Sequence, residues 1–410
     1  MDNKITWAPH VPLIGGFPLG AELALGTPPE AIYSLPGFFG NDGLYVNHQT
    51  ETLHRDIEYV PIEVDDMEFE RKINIIVGTP PCAGLSALNT GKNEAVKGAT
   101  AGQNEFMYHV FRHGMKKFDA DVIMVENAPA LSTKKGQGVA DALYDICREN
   151  GYSLTLYKTS THFHGIPQRR DRTFAIAWKS ETAPIMEFHR EPRLDFAEYL
   201  ENIPKDSSFF DEPVNPKIPE VCGYWQYIKA NYDEDPRDVI SKSGEKTAFN
   251  FINKSGQLEK VIAWLRENGT DRQVKTAEHA VFKFSQGLGI WDGSAHVFDD
   301  VMNAVIGRNM ADTVHPKEDR SLTIREAMHM MGLPHNYQLL GGRGDINKIA
   351  QNVPTCTAKF VVEQAEKFIQ GKLRMSNSTY IKQDNWNERF ECREEEPKAV
   401  TLEGLFDVAV

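Results

Sequence analysis

Cys82 stands in Thr79-Pro80-Pro81-Cys82-Ala83-Gly84, directly beyond the apolar run Ile73-Asn74-Ile75-Ile76-Val77. Two prolines fix the backbone and remove two N–H donors, so the thiol sits on a stiff loop rather than in a ladder or helix. A thiolate is the nucleophile of covalent catalysis, provided nearby positive charge favours it over the thiol. Glu126 follows a second apolar run, Asp121-Val122-Ile123-Met124-Val125, where a positioned carboxyl can share a proton with a reacting group. Arg169, Arg170 and Arg172 form a compact basic cluster in Gln168-Arg-Arg-Asp-Arg172. Singly these read as a buried structural thiol, a strand-end carboxylate and a solvated basic face. Together they supply a nucleophile, a proton donor and a cation.

The elements that must position them follow from periodicity. Short β-branched runs bounded by Gly and Pro read as buried strands: Ala31–Leu35, Ile73–Val77, Asp121–Val125, Ser153–Lys158 and Thr173–Trp178. Helical spacing recurs at Leu19–Leu25, closed by Gly26, at Glu105–Phe118 and at Val139–Asn150, stopped by Gly151. Alternating strands and helices predict a doubly wound, mainly parallel α/β sheet, which places chemistry at the carboxyl ends of its strands. Gly15-Gly16 ahead of the first helix is a turn able to present N–H groups to a cofactor. Residues 90–104 are polar and rich in Gly, Thr and Asn, and read as a long mobile segment. Beyond residue 185 the rhythm fades into Pro, Asp and Lys punctuation with scattered aromatics, which predicts a second, irregular domain. Leu322–Met331 and Cys356–Lys372 read as helices, and the chain after Met375 as a polar, partly disordered tail.

Composition sets the outer bounds. The 410 residues, 41% hydrophobic and 25% charged, are those of a globular chain with more than one domain. No apolar run is long enough to span a membrane, and the N-terminus has no basic-then-apolar signal pattern, so a cytoplasmic location is expected. Five scattered cysteines without a C-x-x-C pair speak against a zinc ribbon or a disulfide framework, and no metal is expected. The net charge of −13 argues against nucleic acid only weakly, because the acid is concentrated in residues 56–70 and 384–407.

In order along the chain, the Pro-Cys82 loop, Glu126-Asn127, Gln168-x-Arg170-x-Arg172, Arg320-x-Leu322-Thr323-x-Arg325-Glu326-Ala327 and Ile349-x-x-Asn352-Val353-Pro354 resemble the motifs of the DNA (cytosine-5) methyltransferases. The resemblance runs from about residue 11 to 372. It implies a Rossmann-like methyltransferase fold with a discontinuous catalytic domain, residues 1–185 plus 321–375. Residues 186–320 would be a target recognition domain and residues 376–410 an acidic C-terminal tail. It implies methyl transfer from S-adenosylmethionine to carbon 5 of a flipped-out cytosine in double-stranded DNA, by a monomer in a bacterial or virus-infected cell, with restriction–modification as the setting. Cys82 would be the nucleophile that adds to carbon 6, and Glu126 the partner of the ring nitrogen and exocyclic amine. Arg172 would hold the flipped base and Arg170 support the same loop. Ile14, Gly15, Gly16, Phe17, Asp56, Pro80, Gln351, Asn352 and Val353 would line the cofactor.

The departures fall on the cofactor half. Val11-Pro12-Leu13 replaces the aromatic residue and extra glycine of the first motif. No carboxylate ends the second strand, Asp42 being the nearest, and Ala350-Gln351 replaces a Gly-Asn pair. In the catalytic loop Ala83 replaces a glutamine. A modified donor yielding another 5-substituted cytosine, a non-catalytic base-flipping protein, and an RNA substrate are the alternatives the residues leave open.

Overall fold

The computed structural model describes residues 4–81, 85, 102–288, 295–306 and 309–393. Cys82 and most of the expected mobile segment lie outside the described residues, as do residues 394–410.

The first part of the chain runs β1 (Trp7–His10), α1 (Gly16–Leu25), β2 (Ile32–Ser34), α2 (Phe39–Asn47), β3 (Tyr59–Pro61), β4 (Ile75–Gly78), α3 (Glu105–Arg112), β5 (Val122–Asn127), α4 (Gln137–Glu149) and β6 (Ser153–Ser160). It continues through β7 (Gln168–Arg169), β8 (Asp171–Trp178) and β9 (Pro184–Ile185). Helices then dominate: α5 (Phe196–Glu201), α6 (Gly223–Asn231), α7 (Pro236–Lys242), α8 (Ala248–Lys254), α9 (Leu258–Asn268) and α10 (Asp271–Ser285). Last come β10 (Met302–Asn303), α11 (Asn309–Asp312), α12 (Ile324–His329), α13 (Ile346–Ile349), α14 (Thr355–Ile369), β11 (Arg374–Met375), β12 (Tyr380–Asp384) and β13 (Arg389–Cys392).

Nine strands form one sheet in the order β13-β12-β6-β8-β5-β4-β1-β2-β3. Only β8 and β13 run antiparallel to their neighbours. The sheet is apolar on both faces because helices cover both. Strand β4 shows the consequence of a two-residue period: Ile75 and Val77 pack with Phe17 of α1 and Val361 of α14, while Ile76 packs with Phe111 of α3 and Leu143 of α4. Helices α1 and α14 approach closely at Gly20, where a Cβ would stand 2.4 Å from the Cβ of Ala358.

A third core joins distant parts of the chain: Ile14, Tyr45, Ile166, Met302, Ile324, Tyr337 and Ile349 share it. A fourth is confined to residues 218–314 and includes Trp225, Tyr227, Ile252, Leu265 and Ala277.

Two expectations are corrected. The punctuated stretch beyond residue 185 is largely helical, because its Asp, Thr and Pro residues start helices. Asp235, Thr247 and Thr270 are side-chain N-caps, and Pro236 opens α7. Residues 376–393 are not a tail, since β12 pairs in parallel with β6 inside the main sheet. Its polar sequence is tolerated because the buried Gln383 amide is satisfied at both ends, donating to the Met186 carbonyl at 2.6 Å and accepting from the Met186 N–H at 3.0 Å.

Candidate active site

The carboxyl ends of β4 and β5 and the start of the reversed strand β8 meet at one edge of the sheet. Gly78 is level with Val125, and Glu126 is level with Phe174. Glu126 therefore belongs to the last turn of a strand rather than to the loop beyond it, and it is 4% exposed. Arg172 projects from β8 beside it, its Nε against Glu126 Oε1 as an ion pair. A carboxylate this deep needs such a partner to offset its lost hydration. Asn127 is fully buried, its Oδ1 accepting from the Ala128 N–H at 2.8 Å and its amide turned to the sulfur of Met107 at 3.2 Å. Pro80 is buried just beyond β4. Cys82 follows four residues after Gly78, within about 15 Å of chain from it.

Arg170 is placed differently from the expectation that grouped it with the catalytic residues. Its guanidinium is buried and donates to the main-chain carbonyls of Val305 (2.9 Å), Ala350 (2.8 Å) and Asn352 (2.9 Å). Those carbonyls make it a clamp between the β7 loop and the segment before α14. Gln168 does a similar job, accepting from the Val305 N–H at 2.8 Å and donating to the Met330 carbonyl.

The turn between β1 and α1 is unusual. Val11, Leu13 and Gly15 all lie in the left-handed region, at φ 56°, 51° and 96°. A β-branched residue there is strained and persists only where its surroundings fix it. The fixing contacts are visible: Val11 N–H donates to the Tyr33 carbonyl, Leu13 N–H to Asp42 Oδ1 at 2.9 Å, and Tyr337 Oη–H to the Ile14 carbonyl at 2.5 Å. Asp42 also accepts from Ser34 Oγ, at the end of β2, and from Tyr59. Burial pushes the Asp42 carboxyl up to about 6, against the pull of those three donors. Asp42 of α2, the carboxylate nearest the end of β2, is thus engaged in holding the turn.

Gly16 faces Asn352: a Cβ there would lie 2.0 Å from Asn352 Oδ1 and 2.0 Å from the Val353 carbonyl. Asn352 is 2% exposed, and neither its Oδ1 nor its Nδ2 has a hydrogen-bond partner among the described residues. The other expected cofactor residues divide. Phe17 and Val353 are core residues, Phe17 lying edge-on to Phe174 at 5.6 Å, because their side chains face the sheet. Gln351 and Asp56 are exposed. Tyr337 and Tyr45, which wall the turn, are not legible as site residues, since nothing in the sequence couples them to residues 14–15.

A mainly parallel sheet with the reversed strand β8 set between β6 and β5, and a Glu–Arg pair at its carboxyl edge, defines a Rossmann-like methyltransferase. Residues 42–367 match the family model of the C-5 cytosine-specific DNA methylases. The chain belongs to that family and is a DNA cytosine methyltransferase. Among similar proteins, the type II methyltransferase M.Bpa9945I of Bacillus paralicheniformis is 19% identical, over 81% of this chain and 78% of its own. The type II methylase M.HgiDII of Herpetosiphon aurantiacus is 21% identical, over 79% and 85%. The methyltransferase EhMeth of Entamoeba histolytica shares the fold, with a TM-score of 0.51 at 11% identity over 90% of this chain and 99% of its own.

Proposed function

We propose that the chain moves the methyl group of S-adenosylmethionine to carbon 5 of a cytosine flipped out of double-stranded DNA, through a temporary bond from Cys82. The pair of buried Glu126 with half-buried Arg172, at the sheet edge that leads into the Cys82 loop, is the observation that carries this reading.

Carbon 6 is shielded in a stacked duplex, so the base must leave the helix. Cys82 Sγ, as thiolate, bonds to carbon 6. The electron pair released into the ring is balanced at the ring nitrogen by the proton that Glu126 shares, and carbon 5 becomes nucleophilic. The cofactor supplies an electrophilic methyl group on a sulfonium. After transfer, loss of the carbon 5 proton and of the carbon 6–sulfur bond restores the ring and frees Cys82. Arg172 holds Glu126 in place and meets the base.

The residues around the first turn fit the cofactor. Asn352 is a buried amide whose two polar atoms have no partner among the described residues, set against Gly16, and it offers the donor and acceptor set a nucleoside takes. Asn352 and the Gly15–Gly16 turn would hold it, with Asp42 fixing the turn through the Leu13 N–H and the exposed Asp56 near the adenine. Residues 186–320, with their own helical core, would read the target sequence in the major groove. The setting is modification of intracellular DNA by a monomer, of the restriction–modification kind, the relatives being named type II methyltransferases.

The test is labelled-methyl transfer to mixed-sequence duplex, with nucleoside mass analysis. Label at cytosine carbon 5, covalent trapping on 5-fluorocytosine duplex, and loss of both in Cys82→Ser are expected. Transfer that survives Cys82→Ser would overturn the covalent route, and a heavier 5-substituent would replace the donor.

A further inference from the structure

Strands β12 and β13 lie beyond residue 367, where the family match ends, yet the turn between them returns to the reacting edge of the sheet. Asn385 locks that turn: it is fully buried, its Nδ2 donates to Thr159 Oγ1 at 3.0 Å, and its Oδ1 accepts from the His189 N–H at 2.9 Å. The next residue, Trp386, is thereby set among the side chains of the loop that leads to β8. Its ring lies 4.8 Å from those of both His162 and Phe163, and the Arg169 guanidinium lies over it, 4.9 Å from the ring centre.

Three arginines share this surface, and their partners differ. Arg193 is paired with Asp300 at 2.6 Å. Arg190 is paired with Glu388 at 3.3 Å and donates to the carbonyls of Asn385 and Trp386. Arg169 is exposed and has no carboxylate partner among the described residues; its main chain is pinned by pairing with Asn303. Burial and the neighbouring Arg193 hold His162 down at about 4, so it adds no charge at neutral pH. Asp171, the acid on this edge, sits between Arg169 and Arg172.

We infer that Arg169, seated on Trp386, is a contact to a DNA backbone phosphate beside the flipped base. The reading rests on duplex DNA being the substrate. Arg169 stands three residues before Arg172 at the same sheet edge, with the chain turning between them where the Arg170 N–H bonds back to the Gln168 carbonyl, so a phosphate at Arg169 lies close to the base that Arg172 meets. A cation held over an aromatic ring leaves N–H donors free for a phosphate, at reduced conformational cost. Trp386 is the positioning residue, supplied by a hairpin outside the family match.

The experiment is a salt series of binding to a fluorescently labelled duplex by the full-length protein. Arg169→Gln is expected to weaken binding roughly fivefold and to reduce the slope of log K against log salt by about 0.9, one phosphate's worth. Arg169→Lys should recover most of the slope. Trp386→Ala should weaken binding in the same direction, and Trp386→Phe should restore it. A merely structural role for Arg169 would leave the slope unchanged, and an unchanged slope with binding within twofold of wild type overturns the inference alone. Failure of the wild type to bind duplex DNA in a salt-dependent way overturns the DNA reading with it.

Discussion

Arg170 donates to the carbonyl of Asn352 at 2.9 Å, across 182 residues of chain. One guanidinium thereby fastens the loop before the reacting edge to the segment that carries the Asn352 amide beside Gly16. The chemical and cofactor halves of the site share this fastening, although neither is altered chemically by it.

Removing the clamp should cost both stability and cofactor affinity. Arg170→Met removes the donor that reaches the carbonyls of Val305, Ala350 and Asn352, so a loss of about 3 kcal/mol in unfolding free energy is expected. Urea titration measures it, and cofactor KM should rise more than kcat falls. A variant with wild-type midpoint and KM would show that the clamp is dispensable.

Glu126→Gln keeps the size of the side chain and removes its acid. The expected result is a fall in kcat of roughly a hundred- to ten-thousand-fold, with duplex affinity close to wild type. Arg172→Lys retains charge but loses the planar fork, and its kcat should fall between those of the wild type and Glu126→Gln. Single-turnover methylation separates these from binding defects.

Two glycines should respond with opposite sign. Gly16→Ala drives a Cβ into Asn352 Oδ1 and the Val353 carbonyl, and should destabilise by about 1–3 kcal/mol. Gly43, inside α2, has nothing within 4 Å of its would-be Cβ. Gly43→Ala should stabilise by about 0.5–1 kcal/mol. Denaturant midpoints of the pair, measured together, check the packing of the first turn.

Asp42 gives a pH prediction whose sign is opposite to that of the buried histidines. With its carboxyl raised to about 6, the folded chain binds a proton between about pH 4 and 6 that the unfolded chain does not, so this group's contribution to stability falls as pH rises through that window. The penalty is complete above pH 6, at about 3 kcal/mol or less. Burial holds His48 and His113 down at about 4, and they contribute stability above pH 6.5 that is lost towards pH 4. Asp42→Asn keeps an acceptor for Leu13 and donors for Ser34 and Tyr59. It should be more stable than wild type at pH 8 and lose stability more steeply on acidification. An identical pH profile would remove the argument.

Much of the architecture was legible in the sequence. The runs ending at Val77 and Val125 read as buried strands because both faces of a helix-covered sheet are apolar, and Gly26 and Gly151 stop helices by adopting the left-handed conformation. Strand β12 was not legible, because Tyr-Ile-Lys-Gln-Asp lacks an apolar run and is made buriable by partners nearly 200 residues away. The helices between residues 196 and 285 were obscured because the residues that punctuate loops are also those that cap short helices.

The sequence by itself determined the kinds of chemistry available: a cysteine on a proline loop, a carboxylate ending a buried strand, and guanidinium groups two residues apart. Local propensity and side-chain type suffice for that much. Tertiary structure alone decided which guanidinium meets Glu126, which clamps carbonyls, and which rests on Trp386. Those outcomes depend on strand register and on where distant segments fold back, and pairing across hundreds of residues leaves no mark in the local pattern of a single chain.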